Sequence, residues 1–86
     1  MREYILTFAR SARRELERLD TTVITRVLPR IEALVDEPRP SGCRKLRGSK
    51  NLWRIRIGDY RVIYEVDDAA RTVDIVGVRH RSEAYR

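Results

Sequence analysis

Hydrophobic positions follow two rhythms along this chain. Residues 4–8, "YILTF", predict a first strand by their β-branched and aromatic content. A period near 3.6 then takes over. In "SARRELERLD" Ala12, Leu16 and Leu19 recur at helical spacing behind Ser11 as N-cap. A second helix follows after a link so short that the pair must form an antiparallel hairpin. Asp20 or Thr21 caps it, and Val23, Ile24, Val27, Leu28, Ile31, Leu34 and Val35 form its apolar stripe, which ends before Pro38. Pro29 falls inside that helix, where a lost hydrogen bond typically costs ~3 kcal/mol, so a kink is expected there.

Residues 37–42, "EPRPSG", form a turn-rich connector, and "CRKLRG" is read as a short strand. A period of two governs "LWRIRIGDYRVIYEV", residues 52–66, where Gly58-Asp59 is a dipeptide suited to a two-residue hairpin turn. Such a turn sets the register: Ile57 opposite Tyr60, Arg56 opposite Arg61, Ile55 opposite Val62, Arg54 opposite Ile63 and Trp53 opposite Tyr64. Trp53, Ile55, Ile57, Tyr60, Val62 and Tyr64 then share one face, and Arg54, Arg56 and Arg61 share the other. Like charges directly opposite each other oppose folding, so that trio calls for an anion. After the loop "DDAAR", "TVDIVGVRHR" is a last strand. Val73 and Ile75 have one parity and Val76 and Val78 the other, so Gly77 is expected to mark a bulge that lets both pairs face the core and turns Arg79 to the basic face. The order predicts an α+β fold: an N-terminal strand and a helical hairpin packed on one face of a small, mainly antiparallel sheet.

Composition sharpens this picture at three points. Eighty-six residues suit a single domain, 1–86, close to the size below which a core needs metal or disulfide support. The one cysteine, Cys43, has no internal disulfide partner, no Cys/His cluster suggests a metal and no cofactor motif is present. With no signal-peptide pattern and no run near the roughly 20 apolar residues of a membrane span, a cytoplasmic protein without membrane contact is expected. Nineteen Lys and Arg against thirteen Asp and Glu give a net charge of +6. Between residues 39 and 61 Asp59 is the sole acid among Arg39, Arg44, Lys45, Arg47, Lys50, Arg54, Arg56 and Arg61, so the charge forms a patch suited to a polyanion or an acidic protein. A solvated basic surface is the plainer alternative.

No glycine-rich phosphate loop and no Gly-x-Ser-x-Gly elbow occurs, and Glu15, Glu17, Glu32, Asp36 and Glu37 fall mostly on helix positions read as facing water. What remains is basic and phenolic: the arginine trio, "CRKLRGSK" and the tail "VRHRSEAYR". Arginine's planar fork matches phosphate, which makes a nucleic-acid backbone the leading ligand. RNA can be cut by its own 2′-hydroxyl, a reaction that needs no metal and no protein nucleophile. The protein must orient the backbone, stabilise phosphoryl charge and manage two protons.

The combined pattern "KLRG…LWRIRIGDYRVIYEV…VDIVGVRHRSEAYR" resembles the RelE/ParE superfamily of bacterial toxins over essentially the whole chain, and looks more like its RelE branch. That resemblance implies an endoribonuclease that cuts mRNA in the ribosomal A site and is held inactive by a cognate antitoxin. The ParE branch, whose members inhibit DNA gyrase, and a nuclease-inactive RNA-binding relative are the alternatives. By the same resemblance the family's basic pair falls on Arg54 and Arg56, the arginine after the turn on Arg61, the last-strand arginine on Arg79 or Arg81, and the terminal tyrosine on Tyr85. Lys45, Arg47 and Lys50 are the implied ribosomal RNA contacts. Some relatives carry lysines where Arg54 and Arg56 stand, and arginine is a poor proton acceptor, so the trio is assigned to phosphate binding and the general base is left open. Tyr85 is expected to contact the 2′-hydroxyl, as a base or as a stacking platform. His80 has a suitable intrinsic pKa, but alternation sets it on the face away from Arg79 and Arg81. Trp53, Tyr60 and Tyr64 have core parity.

Overall fold

The computed structural model describes residues 3–84. Strand β1, Ile5–Phe8, leads into helix α1, Arg10–Glu17, and helix α2, Thr21–Glu32, which tightens into a 3-10 turn at Ala33–Val35. Strands β2 (Arg44–Lys45), β3 (Leu52–Ile57), β4 (Tyr60–Asp67) and β5 (Thr72–His80) follow, and a short helix α3, Arg81–Ala84, closes the described chain. Among the described residues the five strands form one sheet in the order β1-β5-β4-β3-β2. The α+β arrangement expected from the sequence is therefore present, with one addition: β1 lies parallel to β5, pairing Ile5 with Thr72 through Phe8 with Ile75.

The core lies on one face of this sheet. Ala12 of α1, Val27 and Ile31 of α2, and Leu34 pack on Ile55, Ile57, Val62, Tyr64, Val66, Val73, Ile75 and Val78. Helix α1 starts two residues earlier than Ser11 predicts, with Ala9 at the N-cap and no side-chain cap bond. Ala9 is already committed to the sheet, because its N–H donates to the Ile75 carbonyl at 2.8 Å. Tertiary pairing thus overrides local capping preference. Asp20 caps α2 by position, and the helix runs through Pro29 to Glu32.

The hairpin register is the one counted from Gly58-Asp59, pair for pair from Trp53↔Tyr64 to Ile57↔Tyr60. Gly58 takes φ +60°, as that turn requires. The bulge is also present: β4 and β5 shift register between Ile63↔Gly77 and Tyr64↔Ile75, which leaves Val76 as the extra residue. Val73, Ile75 and Val78 are buried, but Val76 is only half-buried. The bulge therefore brings three of the four valine and isoleucine positions to the core, not both pairs complete, because the extra residue of a bulge has no partner to pack beside. Tyr64 is fully buried and its hydroxyl donates to the Pro38 carbonyl at 2.7 Å, tying the connector to the sheet. Burial holds its phenol well above the ordinary tyrosine pKa of 10.0, with the neighbouring Cys43 adding to the shift.

Candidate functional site

The face turned away from α1 and α2 carries the charged side chains of the same strands. Arg56 of β3 is directly opposite Arg61 of β4, and Arg61 is directly opposite Arg79 of β5. Three arginines thus form a row across three neighbouring strands, roughly 10 Å from end to end at normal strand spacing. A second row runs beside it: Arg44 of β2 opposite Arg54 of β3, then Ile63 and Gly77. Of these, Arg44 and Arg56 are exposed and Arg54, Arg61 and Arg79 half-buried. The spacing suits successive phosphates of a strand lying across the sheet, perpendicular to the β-strands.

The structure separates residues that the sequence left together. Arg79 belongs to the row, whereas Arg81 lies beyond the strand as the first residue of α3. There its N–H donates to the Asp59 carbonyl at 2.7 Å and its guanidinium lies 3.8 Å from the Asp59 carboxylate. Lys45 is opposite Trp53, so it belongs to the Trp53 face and not to the arginine face. Arg44, one residue earlier, is the one beside Arg54. The sequence did not reveal this, because parity in β2 depends on the long turn over residues 46–51. Arg47 and Lys50 are exposed in that turn. Tyr85 lies outside the described residues.

Glu15 is the largest departure from the sequence reading. Read as water-facing, it is in fact half-buried and bonded twice: it accepts the Val78 N–H at 2.8 Å and the Arg79 Nε–H at 3.2 Å. The cause is topological. Strand β1 pairs with β5 only as far as Ile75, so further along β5 this edge has no strand partner, and the carboxylate from α1 takes the open N–H. The Arg79 guanidinium lies over Gly77, 3.4 Å from where a β-carbon would stand. Glycine at the bulge thus leaves the space that Arg79 occupies. No local sequence signal could have found Glu15, since its partner is more than sixty residues away.

His80 pairs with Tyr60, on the face away from Arg79, and the two rings meet edge to face with centroids 5.2 Å apart. Its Nδ1 accepts the Ser82 N–H at 3.2 Å, which makes Nε2 the protonated nitrogen of the neutral ring. Together with Leu19, Arg18 and Val78 it lines an open cleft of about 470 Å³, bounded by Glu15 and Arg79. Trp53 is half-buried against the core, and the Arg39 guanidinium lies 5.1 Å from its ring centre. Its aromatic face is thereby occupied, in keeping with a packing role. Among the described residues no cluster of His, Cys, Asp and Glu is arranged to hold a metal, and no helix is long and apolar enough to cross a membrane.

A five-stranded sheet with a helical hairpin on one face and arginines gathered on the other defines a small α+β protein with a basic open face. Comparison with known proteins narrows that class. The model of the ParE toxin family of type II toxin–antitoxin systems matches residues 6–85. The toxin RelG of Mycobacterium tuberculosis is 33% identical over 84 residues, covering 96% of this chain and 97% of its own. The mRNA interferase toxin RelE of Escherichia coli is 33% identical over 86 residues, covering 95% and 90%. Among solved structures, a chain of the toxin–antitoxin complex RelBE2 from Mycobacterium tuberculosis superposes with a TM-score of 0.83 at 32% identity, covering 95% of each chain. The isolated Escherichia coli RelE toxin superposes with a TM-score of 0.80 at 30% identity, covering 95% of this chain and 90% of its own. The chain belongs to the RelE/ParE toxin superfamily of type II toxin–antitoxin systems.

Proposed function

We propose that this toxin is a metal-independent endoribonuclease that cuts mRNA in the ribosomal A site and is held inactive by a cognate antitoxin. The row Arg56–Arg61–Arg79 carries the reading: like charges directly opposite one another oppose strand pairing, and the row gives a bound phosphate three permanent cations. The mRNA interferase named among its relatives supports the same activity. In the reaction the 2′-oxygen forms a bond to phosphorus, the bond from phosphorus to the 5′-oxygen breaks, one proton leaves the 2′-hydroxyl and another is taken up by the leaving oxygen. Arg56, Arg61 and Arg79 stabilise charge on the non-bridging oxygens, and Arg54 and Arg44 hold the neighbouring phosphate. Arg47 and Lys50 are exposed for ribosomal RNA. Tyr85 is assigned to the 2′-hydroxyl, and the antitoxin to the same arginine face.

The test is a reconstituted translation reaction with purified protein. Codon-limited cleavage that needs ribosomes, leaving a 2′,3′-cyclic phosphate, is the expected result. Intact mRNA together with inhibited gyrase supercoiling would support the ParE reading, which the match to that family's model favours. Tyr85→Phe should lower cleavage by roughly 10²- to 10⁴-fold if the hydroxyl handles a proton. Near-normal cleavage by Phe but not by Ala would make the ring a stacking platform.

A further inference from the structure

Arg79 lies in a seat made by two other residues. Its Nε–H donates to one Glu15 carboxylate oxygen at 3.2 Å, and the other oxygen of that carboxylate accepts the Val78 N–H at 2.8 Å. Glu15 stands one helical turn beyond the fully buried Ala12, so the packing that buries Ala12 also turns Glu15 to the edge of β5. Gly77 lies beneath the side chain. A β-carbon built there would be 3.4 Å from Cζ, Nε and Nη2 of Arg79 alike, and a point equidistant from three atoms of one plane stands above that plane. The guanidinium therefore lies flat over the bulge. The backbone does not ask for this glycine: positive φ angles among the described residues belong to Gly42, Gly48, Gly58 and Arg71, so Gly77 holds a conformation open to other residues. A glycine inside a strand weakens it. What Gly77 provides is the floor on which Arg79 rests.

We propose that Glu15 and Gly77 are positioning residues, which together set the plane of the Arg79 guanidinium and the edge it presents to a phosphate. With Nε–H directed to Glu15, the two parallel bonds that an arginine fork offers a phosphate come only from Nη1 and Nη2, at the end of the side chain. Arg79 then acts as an oriented fork and not as a charge alone. Orientation matters because a group that stabilises the reacting phosphate loses most of its effect when displaced by about 1 Å. Glu15 touches no substrate in this account; it acts through Arg79, and its second oxygen closes the strand edge from which Arg79 projects. The kinetic consequence rests on the ribonuclease reading, whereas the orientation of the fork does not, so the two are measured separately.

The first measurement is solvent exchange of the Arg79 Nε–H by 15N NMR on the full chain, with the signal assigned by its loss in Arg79→Lys. Glu15→Gln still accepts the Val78 N–H through Oε1 but sets an amide NH2 against Arg79, so exchange should quicken by about fivefold. Gly77→Val, whose branches need the space that the guanidinium fills, should quicken it similarly, and Gly77→Ala, whose methyl only reaches contact distance, should stay near the wild type. Thermal melts confirm folding, and Glu15→Gln serves alone if Gly77→Val does not fold. The second measurement is ribosome-dependent cleavage. Glu15→Gln should lower kcat by about tenfold and leave KM for the ribosome unchanged. In the Arg79→Lys background, where no fork is left to orient, the same substitution should change kcat by less than about twofold. Exchange unaltered by Glu15→Gln, or an equal loss of kcat from it in both backgrounds, would overturn the proposal. A wild-type chain that cleaves nothing would sink the ribonuclease reading, and the exchange rates would still decide whether Glu15 and Gly77 hold the fork.

Discussion

On the face turned to the helices Ile55 meets Val62 and Val62 meets Val78, while one residue along the same strands Arg56 meets Arg61 and Arg61 meets Arg79. The backbone hydrogen bonds of the two faces are shared, so the difference lies in the side chains alone. Apolar cross-strand pairs under a helical layer stabilise the sheet, and each buried side chain adds about 1.5–3 kcal/mol relative to exposure. Paired arginines oppose it by a few tenths of a kcal/mol. Stability is therefore concentrated on one face and ligand chemistry on the other, and the two can be altered almost independently.

The largest expected effect tests the covered face. Tyr64→Ala empties a fully buried site and removes the bond to Pro38, so thermal unfolding should report a loss of about 3–5 kcal/mol. A loss under 1 kcal/mol would mean that this face is not where stability lies.

Arg61→Ala tests the other face. Cleavage on the ribosome should fall by about 10²- to 10³-fold. The melting temperature should change little, because Arg61 lies on the open face and the core pairs Ile55–Val62 and Val62–Val78 are untouched. A destabilised protein with unchanged cleavage would reverse the assignment of the two faces.

Glu15→Gln sharpens the boundary between them. Glutamine can still accept the Val78 N–H, so the edge of β5 remains closed, but the ion pair with Arg79 is lost. Cleavage should fall by about tenfold with little change in melting, since a misplaced guanidinium costs rate before it costs stability. Equal losses in both measurements would make Glu15 a structural residue only.

The smallest effects are in the pH dependence. Tyr64 has its pKa raised by burial, so the stability it contributes is fully present below pH 10 and declines as the solution becomes more alkaline; Tyr64→Phe should flatten that decline. Asp68 has its pKa lowered by the hydrogen bond from Arg39 and then by that from Tyr4. Its contribution is present above about pH 4 and is lost as the solution becomes more acidic, and Asp68→Asn should remove that acid-side slope. Both groups of the Arg39–Asp68 pair are exposed, so the slope should be shallow and should weaken further in high salt.

Turn chemistry and alternation, both local, determined much of this protein from sequence. Gly58-Asp59 fixes the β3–β4 register, and parity then sets Arg54, Arg56 and Arg61 on one face and Tyr64 in the core. The parity break at Gly77 likewise announced the bulge that carries Arg79 into line with Arg61. Only the tertiary structure decided the rest, because each remaining feature joins residues far apart in the chain. Strand β1 pairs with the edge of β5, which displaces the α1 cap to Ala9 and stops short of Val78, leaving an N–H that Glu15 takes. The turn over residues 46–51 sets the parity of β2, so Arg44 and not Lys45 joins the arginines. The β4–β5 register takes Arg79 over Arg81 for the row. Local sequence fixes which residues share a strand face; which strands become neighbours, and where each edge is left open, is set by packing of the helices against the sheet.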